Sequence, residues 1–507
     1  ALGMLTALRK MLDYIHTYNP GINSLADIPR EDSATYEMLC RGDSLGVFQI
    51  ESRAQMAMLP RLQPRCFYDL VIEIAIVRPG PIQGDMVHPF LRRRSGEEQV
   101  TYPSETIRAV LEPTLGVPIF QEQVMRLSMV AAGFSGGEAD QLRRAMTSWG
   151  KNSKLLLFEQ KFIQGLLNNG YSAEFAHRLF EQVKGFGGYG FPESHSASFA
   201  LLCYASSWLK CHHPAAFYCA LLNSQPMGFY SPSQLIQDAR RHYVQVMPVD
   251  INNSVYENAL ELDGQQHWGI RLGFREVKSL DADSAQQIEH WRGNNGFTSL
   301  DDVTQRTELT ANDLQLLASA DALKTLSGNR HQARWRAAAI QPYSELLDKN
   351  TCTVVDDLFT EAPTQEKDIL DDYRTLGLTL REHPMALLRN QPPFDKCTPY
   401  AHLVNLRHKG FVRVAGLVTG HQRPGTANGT LFLTLEDETG NINVIVWKGT
   451  QETYRKVLLA STLLLIKGTV EIATEHVAAP VVHVIAGQLH DYSNVLRGLS
   501  VKARSFK

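Results

Sequence analysis

A chain of 507 residues has room for three or four domains of about 100–200 residues each. Its 44% hydrophobic and 20% charged content is that of a globular protein with ample cores. A formal net charge of −3 excludes a globally basic nucleic-acid binder, so any basic surface is local. Seven cysteines without a CxxC pair fit a reducing compartment and argue against a disulfide framework. No apolar run reaches the ~18 residues of a membrane span, so no membrane is expected and the location is read as cytoplasmic.

In chain order, Leu2–Thr17 reads as a helix, with Leu5, Leu8, Met11, Leu12 and Ile15 on one face. It opens without a cap or strand, as a chain cut inside a domain would. Residues 33–225 are mostly helical in pattern, with interruptions expected at Pro60, Pro64, Arg78-Pro79-Gly80-Pro81, Pro103, Pro113 and Gly133. Arg92, Arg93 and Arg94 are consecutive, the pattern of a solvated face. Arg143 and Arg144 follow the Gly133–Gly137 turn, better placed to hold phosphates bidentately.

The most informative stretch is Gln182–His213. A polar amphipathic run enters a loop with Gly185, Gly187, Gly188 and Gly190, then meets Ser194, His195 and Ser196 before a long apolar helix that Pro214 stops. Glycines leave little side chain between the backbone and an approaching group. Ser194 or Ser196 is expected to cap the helix, whose N-terminus favours an anion. Lys184 and His195 flank the loop as donors, giving a candidate phosphate-handling turn. A tight helix–helix connection is an equally open reading. The dinucleotide fingerprint is excluded: helix precedes the glycines, and Lys210 stands twenty residues on from Gly190, where an acid belongs. Cys203, Cys211 and Cys219 recur every eight residues, which is no helical contact spacing; buried structural thiols are expected over a zinc site. Nucleophilic catalysis by Glu193, Ser194 and His195 is set aside, since sequence neighbours rarely face one another as a triad must.

Val244–Leu262 is expected to be a short β element, and Trp268–Leu326 two helix–turn–helix units. Their turns read Ser279-Leu280-Asp281 and Ser319-Ala320-Asp321, where an acid repels phosphate and weakens a hairpin grip on DNA. Glu345–Asp372 carries nine acids against Lys349 and Lys367, and is read as a tether or surface segment that avoids nucleic acid. From Gly410 the period becomes two. Strands are expected at Phe411–Thr419, Thr430–Glu436, Ile442–Trp447, Thr462–Val470 and Val477–Ile485, with a helix over Gln451–Leu459, the order of an OB barrel. Phe432 and Trp447 are its candidate stacking residues, and Arg423 its loop cation. Asp491–Lys507 is a basic tail.

Five unlinked motifs carry a family resemblance. Ser44-Leu-Gly-Val-Phe-Gln-Ile-Glu-Ser-Arg53, Arg78-Pro-Gly-Pro81, Phe120-Gln-Glu-Gln123, Leu142-Arg-Arg-Ala-Met146, and Gly188-Tyr-Gly-Phe191 with Ser194-His-Ser196 resemble the C-family of bacterial DNA polymerases, the family of the polymerase III α subunit. Phe191-Pro192-Glu193, where the replicative form reads Phe-Asn-Lys, and a short tail after the OB unit lean toward the error-prone, ImuC-type paralogue. The resemblance implies a multidomain fold, mainly α (fingers and tandem helix-hairpin-helix), followed by a β-barrel OB-fold domain. Residues 1–37 would end the palm, 38–225 form the fingers, 226–395 the helix-hairpin-helix and clamp-interaction region, 396–490 the OB domain and 491–507 the tail. It also implies nucleotide contacts from Arg143, Arg144, Lys184, Tyr189, Ser194 and His195. DNA contacts are expected from Arg78, Arg92, Arg93, Arg94 and Arg423. Val355-Asp-Asp-Leu-Phe359 resembles a clamp-binding peptide with Val where Gln belongs, leaving Leu358 and Phe359 as anchors for weak sliding-clamp binding. A Y-family-like partner in a mutagenic complex is implied too. The family's three palm aspartates, which hold Mg²⁺, are expected to lie outside this sequence, so the chain alone is expected to be inactive. The rival reading is a non-catalytic scaffold that binds DNA and the clamp.

Overall fold

A computed structural model describes residues 2–78, 86–147, 154–185, 191–228, 230–339, 361–424, 429–496 and 504–506. The chain divides into two compact units. One comprises Ser24–His212 with Ala473–Val481, and the other Ala1–Asn23, His213–Ile472 and Val482–Lys507.

In the first unit, helix Glu193–His212 packs on Phe67–Ile76 and on Ser33–Cys40. Its hydroxyls are satisfied locally, as burial requires: Ser206 and Ser207 donate to the Cys203 carbonyl. The Lys210 ammonium, with none of its side chain exposed, is held by Asp43 at 2.7 Å and the Leu45 carbonyl. Helix starts carry the caps their residues predict: the Asp32 side chain accepts from the Thr35 N–H, and that of Ser104 from the Ile107 N–H. Pro60 does not interrupt its element; helix Arg53–Leu62 runs through it. Helices Lys154–Asn168 and Ala173–Gly185 pair and bury Phe162 and Phe180.

In the second unit, helix Leu2–His16 packs on Pro214–Leu222. A three-stranded sheet has the order Val246–Met247, Trp268–Arg271, Ala259–Leu262. Trp268–Arg271, read from sequence as the start of a helical unit, is therefore the central strand, with Ile270 opposite both Val246 and Leu260. Helices Ala282–Arg292, Leu300–Arg306, Ala311–Ser319, Lys324–Ser327 and Arg330–Ala339 follow.

Part of the stretch read as an acidic tether is folded. Residues 340–360, including Val355, Leu358 and Phe359, lie outside the described residues. Gln365–Thr375 is a helix whose acids face arginines: Arg330 pairs with Asp368 at 2.8 Å and with Asp372, and Arg334 pairs with Asp371 at 2.7 Å. These acids are docked by ion pairs, which net composition alone does not reveal.

The five expected strands close a barrel. Phe411–Gln422 pairs with Leu431–Glu436 and with Leu463–Ala473, and Asn441–Val446 lies between Leu431–Glu436 and Val481–Asp491. Alternating residues such as Val414, Leu433, Val444, Ile466 and Val484 fill it. Gly468 permits closure, because a Cβ there would sit 2.0 Å from the Ile485 carbonyl oxygen. The fifth strand starts at Val481 rather than Val477. Arg504–Phe506, expected as tail, adds a short parallel strand beside Gly420–Gln422.

Candidate functional site

The chain on leaving the glycine loop is pinned by backbone and carboxylates. Phe191 forms a parallel bridge with Phe120, and its carbonyl accepts from the Gln121 N–H at 3.2 Å. Helix Glu193–His212 starts one residue before Ser194, so neither Ser194 nor Ser196 caps it. Ser196 is buried and donates to the Val71 carbonyl, tying the helix to its neighbour. The Glu193 N–H donates to Glu122 Oε2 at 2.9 Å, so a protein carboxylate already occupies part of the positive helix end. Tyr68 donates to Glu193 Oε1 at 2.7 Å, and burial together with that carboxylate raises its hydroxyl pKa. The neighbouring Gln123 is spent on structure: its oxygen accepts from the Ile119 and Phe120 N–H groups, and its amide donates to Thr114 and the Val110 carbonyl.

Above this frame runs a cation–aromatic row. The Arg78 guanidinium lies 5.0 Å from the Phe191 ring centre, Phe191 lies 5.1 Å from His195, and His195 4.2 Å from Phe199. Phe48 closes the row edge-on at 5.2 Å. Arg78 also donates to Gln49 Oε1 at 2.7 Å and to the Ile74 carbonyl, which fixes its fork. Gln49 itself holds a left-handed φ of 65°, a strained conformation that non-glycine residues keep where the surroundings impose it. Ser194 and His195 are exposed at the open side.

The structure thus brings Arg78 and His195 to one place through Phe191. Arg143 and Arg144, on helix Gly136–Thr147, both turn onto Asp140 of that helix, at 2.9 and 2.8 Å. Those guanidinium bonds hold the Asp140 carboxyl below its ordinary range. Lys184 pairs with Glu181 at 3.0 Å. Tyr189 and its glycines lie outside the described residues. The arginine run is divided in its duties: Arg94 forks onto Asp69 at 2.7 Å, Arg93 binds Glu98 and the Leu115 carbonyl, and Arg92, the most exposed, reaches Glu98.

In the barrel, Arg423 donates to Gln451, and Trp447 is 54% exposed while Phe432 is half-buried. His421 lies within strand Phe411–Gln422, its ring nitrogen meets the Leu458 carbonyl, and burial lowers its pKa, which favours the neutral ring. At the helical hairpins, Ser279 and Asp321 take left-handed φ values of 67° and 63° themselves. The Asp321 carboxylate, read from sequence as repelling phosphate, is ion-paired with Arg381 at 2.9 Å.

Residues 4–170 match the model of the bacterial DNA polymerase III alpha subunit finger domain, 243–333 a helix-hairpin-helix motif, and 412–490 an OB-fold nucleic acid binding domain. A protein of Teredinibacter turnerae named Error-prone DNA polymerase is 65% identical over all of this chain and 49% of its own length. The chain is thus similar, along its whole length, to about half of a protein named Error-prone DNA polymerase. Proteins of the same name from Pseudomonas paraeruginosa and Vibrio parahaemolyticus are 53% and 52% identical, again over the whole chain and 49% of each. The chain spans about half the length of these relatives. Among the described residues no helix is long and apolar enough to cross a membrane. Sequence reasoning missed Tyr68, Glu122 and Gln49 as positioning groups. Gln49 and Glu122 lie inside two of the quoted motifs and Tyr68 in none, and each works through a partner distant in sequence.

Proposed function

We propose that this chain supplies the nucleotide- and template-handling part of an error-prone, translesion DNA polymerase, a nucleotidyltransferase. The observation that carries the reading is the row Arg78–Phe191–His195–Phe199 at the exit of the glycine loop. A ringed face with a fixed cation suits a base and its phosphates. Arg143, Arg144 and Lys184 lie on exposed local pairs of small net worth, which an incoming triphosphate displaces at little cost. The names of the relatives support the same reading.

Mg²⁺ in such an enzyme takes carboxylate and water oxygens. In the unit that holds the row, Asp32, Cys211 and His212 form a group of possible ligands, a sulfur–nitrogen–oxygen set that does not fit Mg²⁺. The 507 residues alone are expected to give no primer extension. DNA as primer-template and single strand, a weakly held sliding clamp and a Y-family-like mutasome partner are the partners this reading carries. The clamp contact would run through Leu358 and Phe359.

Steady-state kinetics of the complete polymerase on primed template test the proposal. Arg143→Ala, Arg144→Ala and His195→Ala are each expected to raise the nucleotide KM about tenfold or more and to lower turnover, as losing a charge-assisted phosphate contact or a stacked ring does. Wild-type values for all three would favour the scaffold reading.

A further inference from the structure

Sequence spacing argues against a zinc site built from Cys203, Cys211 and Cys219, and the fold agrees in part: Cys203 and Cys219 are buried core thiols. Cys211 differs. It is half-buried at the last turn of helix Glu193–His212, beside His212. The turn before helix Ser33–Cys40 brings Asp32 to the same spot from 179 positions away, with ligand atoms of Asp32, Cys211 and His212 all within 4.8 Å of one another.

We propose that Asp32, Cys211 and His212 form a three-ligand site for Zn²⁺, with a fourth position open to water. The donor set is one thiolate, one imidazole and one carboxylate, which suits a tetrahedral borderline ion and not a hard one. His212 Nε2 and Asp32 Oδ2 are 2.9 Å apart. Two ligands about 2.0–2.1 Å from a tetrahedral ion lie roughly 3.3 Å apart, so the site opens by a few tenths of an ångström.

The surroundings fix two of the three ligands before any ion arrives. Asp32 Oδ2 accepts from the Thr35 N–H at 2.8 Å and the Thr35 hydroxyl at 2.7 Å. The Asp32 N–H donates to the Tyr204 hydroxyl at 2.8 Å, and Tyr204 donates in turn to the Pro29 carbonyl. The Trp208 ring, 4.9 Å from His212, sets the imidazole against the helix. Such outer contacts orient ligands and hold affinity. Without an ion, burial and the neighbouring Asp32 carboxylate raise the Cys211 thiol. Binding forms the Zn–S bond and releases the thiol proton to solvent. The ion would tie the C-terminal turn of helix Glu193–His212 to the N-cap of Ser33–Cys40.

Co²⁺ titration of the reduced full chain reads the site directly, because a thiolate ligand gives a sulfur-to-cobalt charge-transfer band in the near ultraviolet. The expected result is a band that saturates at one equivalent and is displaced by Zn²⁺. Cys211→Ser should abolish it. Asp32→Asn keeps the capping oxygen and should weaken binding about tenfold or more, as should His212→Gln. Cys40→Ser and Cys66→Ser should leave the band intact. No band in the wild-type chain, a band that survives Cys211→Ser, or wild-type affinity in both Asp32→Asn and His212→Gln would each overturn the site.

Discussion

Glu73 offers a sharp perturbation. It sits in helix Phe67–Ile76 facing helix Glu193–His212, its side chain is 0% exposed, and among the described residues neither carboxyl oxygen has a hydrogen-bond partner. Burial raises its pKa well above the ordinary carboxyl range, so the folded chain keeps this proton to higher pH than the unfolded chain does. The unfolded chain loses that proton near pH 4.3. Between the two values the folded state binds one more proton, and stability falls as pH rises, by up to about 1.4 kcal/mol per pH unit. The stability is complete below the unfolded pKa and is lost on approaching the folded one. Glu73→Gln should flatten the profile yet keep a buried unpaired amide. Glu73→Met, unbranched and of similar volume, should flatten it and add about 1–3 kcal/mol at pH 8, because no polar group is left desolvated. Native-state hydrogen exchange of peptides covering residues 67–76 and 193–212, corrected for intrinsic rates, measures this within the multidomain chain. Parallel profiles for wild type and Glu73→Gln would refute the reasoning.

Other outcomes follow from the same contacts. Arg330→Ala takes the nearer guanidinium from the buried Asp372 carboxylate, leaving the Thr379 hydroxyl and Arg381 at 3.8 Å, and should cost about 1.5–3 kcal/mol in the exchange of helix Gln365–Thr375, an effect absent in Arg374→Ala, whose side chain is 63% exposed. Trp447→Ala should weaken single-strand binding by the barrel about tenfold in fluorescence anisotropy, with a shallow salt slope because Arg423 is the nearby loop cation and burial favours the neutral ring of His421. Calorimetric titration of the clamp should give weak binding that Val355→Gln strengthens and that the Leu358→Ala, Phe359→Ala pair abolishes. A tight wild-type complex surviving that pair would reject the clamp peptide.

The barrel was legible because period-two alternation over Phe411–Glu436 follows from one buried face, and glycines such as Gly468 mark where strands press together. Long helices were legible for the matching reason at period 3.6. The strand Trp268–Arg271 was not, since a four-residue central strand has no room for a pattern and borrows its order from Val246 and Leu260. Nor was the docking of Asp368, Asp371 and Asp372 visible. A charge count sums residues irrespective of place, while Arg330 and Arg334 come from more than thirty positions upstream.

The site shows the same division more sharply. Cations and glycines announced a phosphate-handling turn, but the helix end they point to is partly filled by Glu122. That carboxylate holds the Glu193 N–H, while Tyr68 holds the Glu193 side chain, so the helix start is fixed without a ligand. On the proposed function, a phosphate arriving there would be repelled by Glu122 at the helix end, which favours a path along His195 and Arg78. Glu122→Gln keeps the hydrogen bond and removes the charge. In the complete polymerase it should lower the nucleotide KM if the phosphates pass close to the helix end. An unchanged KM, with His195→Ala still impaired, would place the phosphates along the cation–aromatic row and away from the helix axis.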